Sequence, residues 1–269
     1  VKSTEPRHVS ALLTLLQDED VKIASLAMEE FLKLGQAMEE TIAEHQESQD
    51  PTLRQRIHQL SSILVRRRAR MQFIEAMSQE QISLWDGACQ INALYDPKSN
   101  TAVIAKLMGE VNKTLRSEPV TTPRVAALMR EQEFVVPDQD VLDVDLYLIQ
   151  RVLETRYGSP ALLCLLAQHA AAGMDWMFTI VLHGGRFCLI DRNNLLLDPT
   201  EGWHISKLKA ADRIHPCARR DVLLGILSQL FLVALVNGQL RDLYHFGDLL
   251  TALNRTGLDV LPYPLGDND

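Results

Sequence analysis

Between Leu146 and Trp203 the chain gathers the side chains that acyl chemistry needs: a thiol, an imidazole and a carboxylate. Cys164 lies in Leu162-Leu163-Cys164-Leu165-Leu166, His183 in His183-Gly184-Gly185-Arg186, and Asp198 in Leu197-Asp198-Pro199. In that order they would supply the nucleophile, general base and orienting group of a cysteine-dependent acyl-transferase or peptidase. Such chemistry needs the sulfur in an accessible, electropositive place with an imidazole within hydrogen-bond reach. Leucines around Cys164 do the opposite, raising a thiol's pKa and shielding it, and a free cysteine is a common core residue. Ser159 offers a hydroxyl, but its place directly before Pro160 reads as a helix N-cap.

The elements that must position these groups follow from spacing. An amphipathic run from Tyr147 to Tyr157 stops at Gly158, and Ser159-Pro160 opens a buried helix that continues to Ala172. Trp176 to Leu182, Phe187 to Ile190 and Leu195 to Asp198 then read as a three-stranded antiparallel meander laid on that helix.

Three phrases carry a resemblance: Leu153-Glu154-Thr155-Arg156-Tyr157-Gly158-Ser159-Pro160, Leu182-His183-Gly184-Gly185-Arg186-Phe187 and Leu197-Asp198-Pro199. Their order resembles the transglutaminase-like superfamily and, within it, the SirB-type invasion-regulator branch of bacteria, over about residues 9–255. That branch shows Leu-x-x-Arg-x-Gly-x-Pro, then Leu-Pro-Gly-His-Phe, then Asp-Pro. The middle phrase departs here, with Arg186 in place of the His and one more residue in the turn. Leu84-Trp85-Asp86-Gly87-Ala88 and Tyr95-Asp96-Pro97 are similar to a further phrase of the branch, whereas its Asn-rich stretch is missing around Val135 to Leu142.

The wider superfamily places a nucleophilic Cys two residues after the Gly, a His on a later strand and an Asp on the next. Carried over, these positions are Pro160, Arg186 and Asp198. Proline has no reactive atom, and a guanidinium stays protonated at physiological pH, so it cannot be a base. The resemblance therefore implies a degenerate domain with no catalytic residue, its remnant positions being Ser159, Pro160, Arg186 and Asp198. Arg186 and Asp198 would face each other across adjacent strands as an ion pair. A displaced Cys164/His183/Asp198 site is the enzymatic alternative.

A chain of 269 residues, 46% hydrophobic, has ample core for one or two domains. Its net charge of −8 argues against non-specific nucleic-acid binding by the whole chain. The four cysteines are scattered without a Cys-x-x-Cys, which fits free thiols in a reducing compartment and gives no zinc site. His215 and Cys217 are two potential ligands without a third, so no metal is expected, nor any cofactor. The longest apolar stretch, Leu223 to Val236, is too short for a bilayer, and no signal-peptide pattern opens the chain, so a cytoplasmic protein is expected.

Ahead of this region the chain reads as helices: about His8 to Leu16, Val21 to Leu34 with Gly35 as C-cap, Met38 to Gln46, and Thr52 to Leu64. Acidic turns at Asp18 to Asp20 and Asp50 lead into helices about thirty residues apart, similar to a pair of HEAT-type hairpins. Arg66-Arg67-Arg68-Ala69-Arg70 is the one basic cluster; a nucleic-acid regulator acting through Arg66–Arg70 is a second alternative, although consecutive helix positions point around the axis. Two more helices follow to Leu115, then a linker from Ser117 to Pro123. Two long helices follow Trp203, one from Arg219 to Val236 and one from Leu240 to Leu253.

The expected architecture is α+β and predominantly helical. A helical-repeat domain (1–116) precedes a transglutaminase-like domain with a small antiparallel sheet (124–255) and a tail (256–269). Trp176, Arg186, Trp203 and His204 are candidate binding residues between hairpin and helix, although large aromatics beside a sheet are more often its core. The expected function is a non-catalytic protein- or peptide-binding or scaffold module, with no nucleic-acid or membrane partner.

Overall fold

The structure is a computed structural model that describes residues 6–79, 82–96, 99–115, 119–137, 142–209 and 212–253. The expected tail and part of the expected linker lie outside the described residues. The chain divides into two compact units, residues 1–72 and 73–269.

Unit 1 is helical: α1 (Pro6–Leu16), α2 (Val21–Leu34), a 3-10 turn (Gly35–Met38), α3 (Glu39–Glu44) and the first part of α4 (Pro51–Ser78). The acidic turns act as helix starts. Asp20 accepts from the Lys22 N–H (2.8 Å), and Asp50 accepts from the Thr52 N–H (2.8 Å). The four helices bury one cluster, including Leu16, Phe31, Ile42, Ile57 and Leu60. The helix expected to stop at Leu64 runs on to Ser78, because Arg, Ala, Met and Glu are strong helix formers even where no apolar stripe continues.

Unit 2 contains α5 (Leu84–Tyr95), α6 (Thr101–Leu115), α7 (Thr122–Glu131), α8 (Ile149–Thr155), α9 (Pro160–Ala172), α10 (Arg219–Val236) and α11 (Leu240–Leu253). Its sheet has β1 (Phe178–His183), β2 (Arg186–Asp191), β3 (Leu195–Asp198), β4 (His204–Lys207) and β5 (Ile214–Pro216) in the order β4-β3-β2-β1-β5, all antiparallel. The expected meander is thus extended by two short strands. β4 and β5 carry four and three residues, too few to display a readable alternation, and pairing to β3 and β1 makes them strands.

α9 is the central helix. It is apolar nearly all round, Gln168 and His169 near its end being the polar exceptions, and packs against α5, α7, α10, β1 and β2. α5 and α6 bury their apolar faces in the same cluster as α9 and the sheet.

Candidate functional site

The Leu153–Pro160 phrase is a splice between two helices. Arg156 takes a left-handed conformation (φ 71°) as the C-cap of α8, and its guanidinium lies 4.8 Å over the Phe134 ring. Val135 bridges the gap, its N–H donating to Arg156 O (3.0 Å) and its carbonyl accepting from Gly158 N–H (3.1 Å). A Cβ on Gly158 would stand 2.7 Å from Val152 and 2.9 Å from Leu163, so only glycine lets α8 and α9 approach this closely. Ser159 is buried; its Oγ accepts from Leu162 N–H (3.4 Å) and its N–H donates to Leu146 O (2.8 Å). Pro160 fills the first helical position. The Ser159 hydroxyl and N–H are both used in holding the helix start.

Arg186 and Asp198 do meet. Arg186 Nη2 lies 3.3 Å from Asp198 Oδ2 and 2.9 Å from Glu201 Oε1. Glu201, then Asp198, raise the Arg186 pKa further, fixing its charge. Asp198 is buried, and its other oxygen accepts from the Thr200 N–H (2.8 Å). Burial first, then the charge of the Asp198 carboxylate, push the Cys188 pKa up to about 12. A thiol with its pKa raised so far stays protonated and is no thiolate nucleophile.

Strand alternation decides which way this cluster faces. Phe178, Ile180, Leu189 and Leu197 share the cluster that contains α9. Cys188 and Leu196 join Val181 in a separate cluster with Leu208 and Ile214. Arg186 and Asp198 have the parity of Cys188 and Leu196, so their ion pair sits on the sheet face away from α9. His183, opposite Arg186, and His204, opposite Asp198, flank it on the same face.

Of the expected site residues, Cys164 is fully buried in the α9 core, and burial before all else raises its pKa well above the usual thiol value. Among the described residues no hydrogen bond joins Cys164, His183 and Asp198, and none joins Ser159 or Pro160 to Arg186 or Asp198. Trp203 is part of the core: it is 1% exposed, its Nε1–H donates to Phe134 O (2.6 Å), and its carbonyl accepts from Arg130 (3.1 Å). Trp176 is half-buried with the Arg192 guanidinium 4.8 Å over its ring, while His204 is exposed on β4. Arg66 to Arg70 spread around α4, with Arg67 donating to Leu32 O (3.3 Å). His215 is exposed on β5, and among the described residues no three His, Cys, Asp or Glu side chains gather as a metal site. No described helix is long and apolar enough to cross a membrane.

Glu201 and Cys188 were not expected as members of the cluster. Glu201 stands three residues beyond Asp198 in a turn, where spacing gives no cue. Cys188 stands two residues beyond Arg186, and its parity with Arg186 was the available signal.

Comparison with known families gives one match, in which the model described as transglutaminase-like superfamily covers residues 99–225. No curated protein matches the chain. No solved structure matches it.

Proposed function

With a transglutaminase-like superfamily domain at residues 99–225 as the premise, we propose that this protein is a non-catalytic, SirB-type member that binds a protein or peptide partner, or holds one in place as a scaffold. The observation that carries the reading is the fate of the three positions that acyl transfer would use. Pro160 supplies no nucleophile, Arg186 supplies no base, and Asp198 is occupied by Arg186 and the Thr200 N–H. An orienting carboxylate whose partner is a permanent cation contributes to packing and not to proton transfer. We place the protein in the cytoplasm, where its free thiols stay reduced.

The test is native alkylation with iodoacetamide at neutral pH, read by peptide mass spectrometry. The expected result is slow modification of Cys164 and Cys188 that accelerates only in denaturant, with half-buried Cys217 reacting first. Rapid, selective modification of Cys164, together with amide or ester turnover lost in Cys164→Ser, would overturn the reading in favour of an enzyme built on Cys164, His183 and Asp198.

A further inference from the structure

A cleft of about 610 Å³ opens between the start of α5, the C-terminal half of α9, β1 and the start of α10, a volume in the range of small-ligand sites. It lies within unit 2, at the end of α9 opposite Ser159 and Pro160. The two helix starts are drawn together at Gly87, where a Cβ would overlap the Leu223 side chain. Asp86 is the neighbour of that glycine, and Arg219 lies one helical turn ahead of Leu223. The cleft thus receives a carboxylate from one helix start and a guanidinium from the other.

No other Asp, Glu, Lys or Arg lines it. Burial, opposed by Asp86, lowers the His169 pKa, so that ring is neutral at pH 7. Burial first, then Asp221, raise the Cys217 pKa, so its thiol is uncharged as well. Neither charge is used by the fold. Ser83 Oγ donates to Asp86 Oδ2 (2.6 Å), and Asp86 Oδ1 has no partner among the described residues. The Arg219 guanidinium makes no hydrogen bond or ion pair among the described residues, whereas its neighbour Arg220 donates to Met77 O (3.1 Å) and Leu253 O (2.6 Å). A cation in the first turn opposes the helix dipole, which Asp221 suits by accepting from Ala218 N–H (3.2 Å), so α10 itself gives no reason for Arg219.

The walls between these two charges are apolar or already bonded. Trp85 stacks on His169, with ring centroids 3.9 Å apart and planes 9° apart. Met177, 71% exposed, forms an adaptable apolar rim. Behind them the β1 edge is closed, Ile180 O accepting from Cys217 N–H (2.9 Å) and Phe178 O from the Gln168 side chain (2.8 Å). An occupant is therefore bounded by side chains and does not extend the sheet.

We propose that this cleft binds a free dipeptide as a zwitterion. Its ammonium meets Asp86, its carboxylate meets Arg219, and an apolar side chain rests on the Trp85–His169 wall. One unpaired charge of each sign in an otherwise neutral cleft complements a molecule that carries one of each. Helices packed through a glycine stand about 8 Å apart. An extended dipeptide of about 7 Å bridges that span, whereas a single amino acid holds both charged groups on one carbon. A segment in mid-chain brings neither terminal charge and would leave both groups unanswered. The site is separate from the Arg186 cluster. It rests on the peptide-binding reading above and gives that reading a location and a ligand class.

Isothermal titration calorimetry of the full chain with leucyl-phenylalanine, free, N-acetylated or C-amidated, tests this. The free form should bind, and capping either end should weaken it about tenfold. In Asp86→Asn, acetylation should have no further effect while amidation still weakens binding; in Arg219→Gln the sensitivities should be reversed. That exchange reports on the two charges and not on folding. Free and capped forms that bind alike would overturn the zwitterion assignment. Variants that respond to capping as the unaltered chain does would overturn this cleft as the site and leave the peptide-binding reading standing. So would a dipeptide that fails to bind while a phage-displayed library of random eight-residue peptides yields a binder. Failure of the dipeptide and the library together would overturn the peptide-binding reading as well.

Discussion

Replacing Arg186 isolates the interaction on which the non-catalytic reading turns. At 3.3 Å and an effective dielectric of about 20, the Arg186–Asp198 attraction is about 5 kcal/mol. Most of that is screened, because the Arg186 side chain is 42% exposed and is shared with Glu201, while the Asp198 side chain is only 7% exposed. A coupling of about 1 to 2 kcal/mol remains, above the usual surface pair and below a buried one. The assay is a double-mutant cycle of Arg186→Met, Asp198→Asn and the combination, measured by thermal unfolding. Arg186→Met alone should lower Tm by about 2–8 °C, since a domain of this size loses about 2–4 °C per kcal/mol. Asp198→Asn should rescue part of that loss, because the carboxylate that needed the cation is gone. A coupling below about 0.3 kcal/mol would refute Arg186 as the group that replaced an imidazole beside Asp198.

Gly158→Ala should destabilise the protein by about 1–3 kcal/mol through overpacking against Val152 and Leu163, read by urea unfolding. Asp191 accepts from Thr122 Oγ (2.6 Å), Asn193 N–H (2.7 Å) and Leu195 N–H (2.9 Å). Burial raises its pKa, but these hydrogen bonds outweigh burial and leave it lowered. Its contribution is therefore complete above the unfolded value of about 3.9 and is lost as pH falls through the folded one. Asp191→Asn should flatten the acid limb of a stability–pH curve. Burial, opposed by Asp86, lowers the His169 pKa, so the unfolded chain binds that proton more readily. Stability should fall as pH drops below about 6.5 toward the folded value, and His169→Gln should remove that slope in equilibrium unfolding.

Much of this fold was legible from helix punctuation. Gly35 ends α2 with positive φ, Ser159 caps α9, and Pro160 opens it, each for a reason local to the backbone. The Arg186–Asp198 pair was legible as well, because two residues near facing ends of adjacent strands are within reach of each other. What escaped was tertiary. β4 holds a single large apolar residue, Ile205, and becomes a strand only because β3 offers an edge. Trp203 looked like a pocket wall by its size, yet a bond to the distant Phe134 carbonyl draws it inside. Nor could spacing show that Arg186 faces away from α9, since that depends on which face of the sheet the helix covers.

The pair of glycines between His183 and Arg186 has a consequence for how such a protein could change over time. Deleting one of them would slide β2 by a single step against β1, and alternation would carry every β2 side chain through the sheet. Arg186 would swing toward α9, but Leu189 would leave the core it shares with α9 in the same movement. Loop length at this corner is therefore policed by the oily interior, whatever becomes of the polar residues that ride on it.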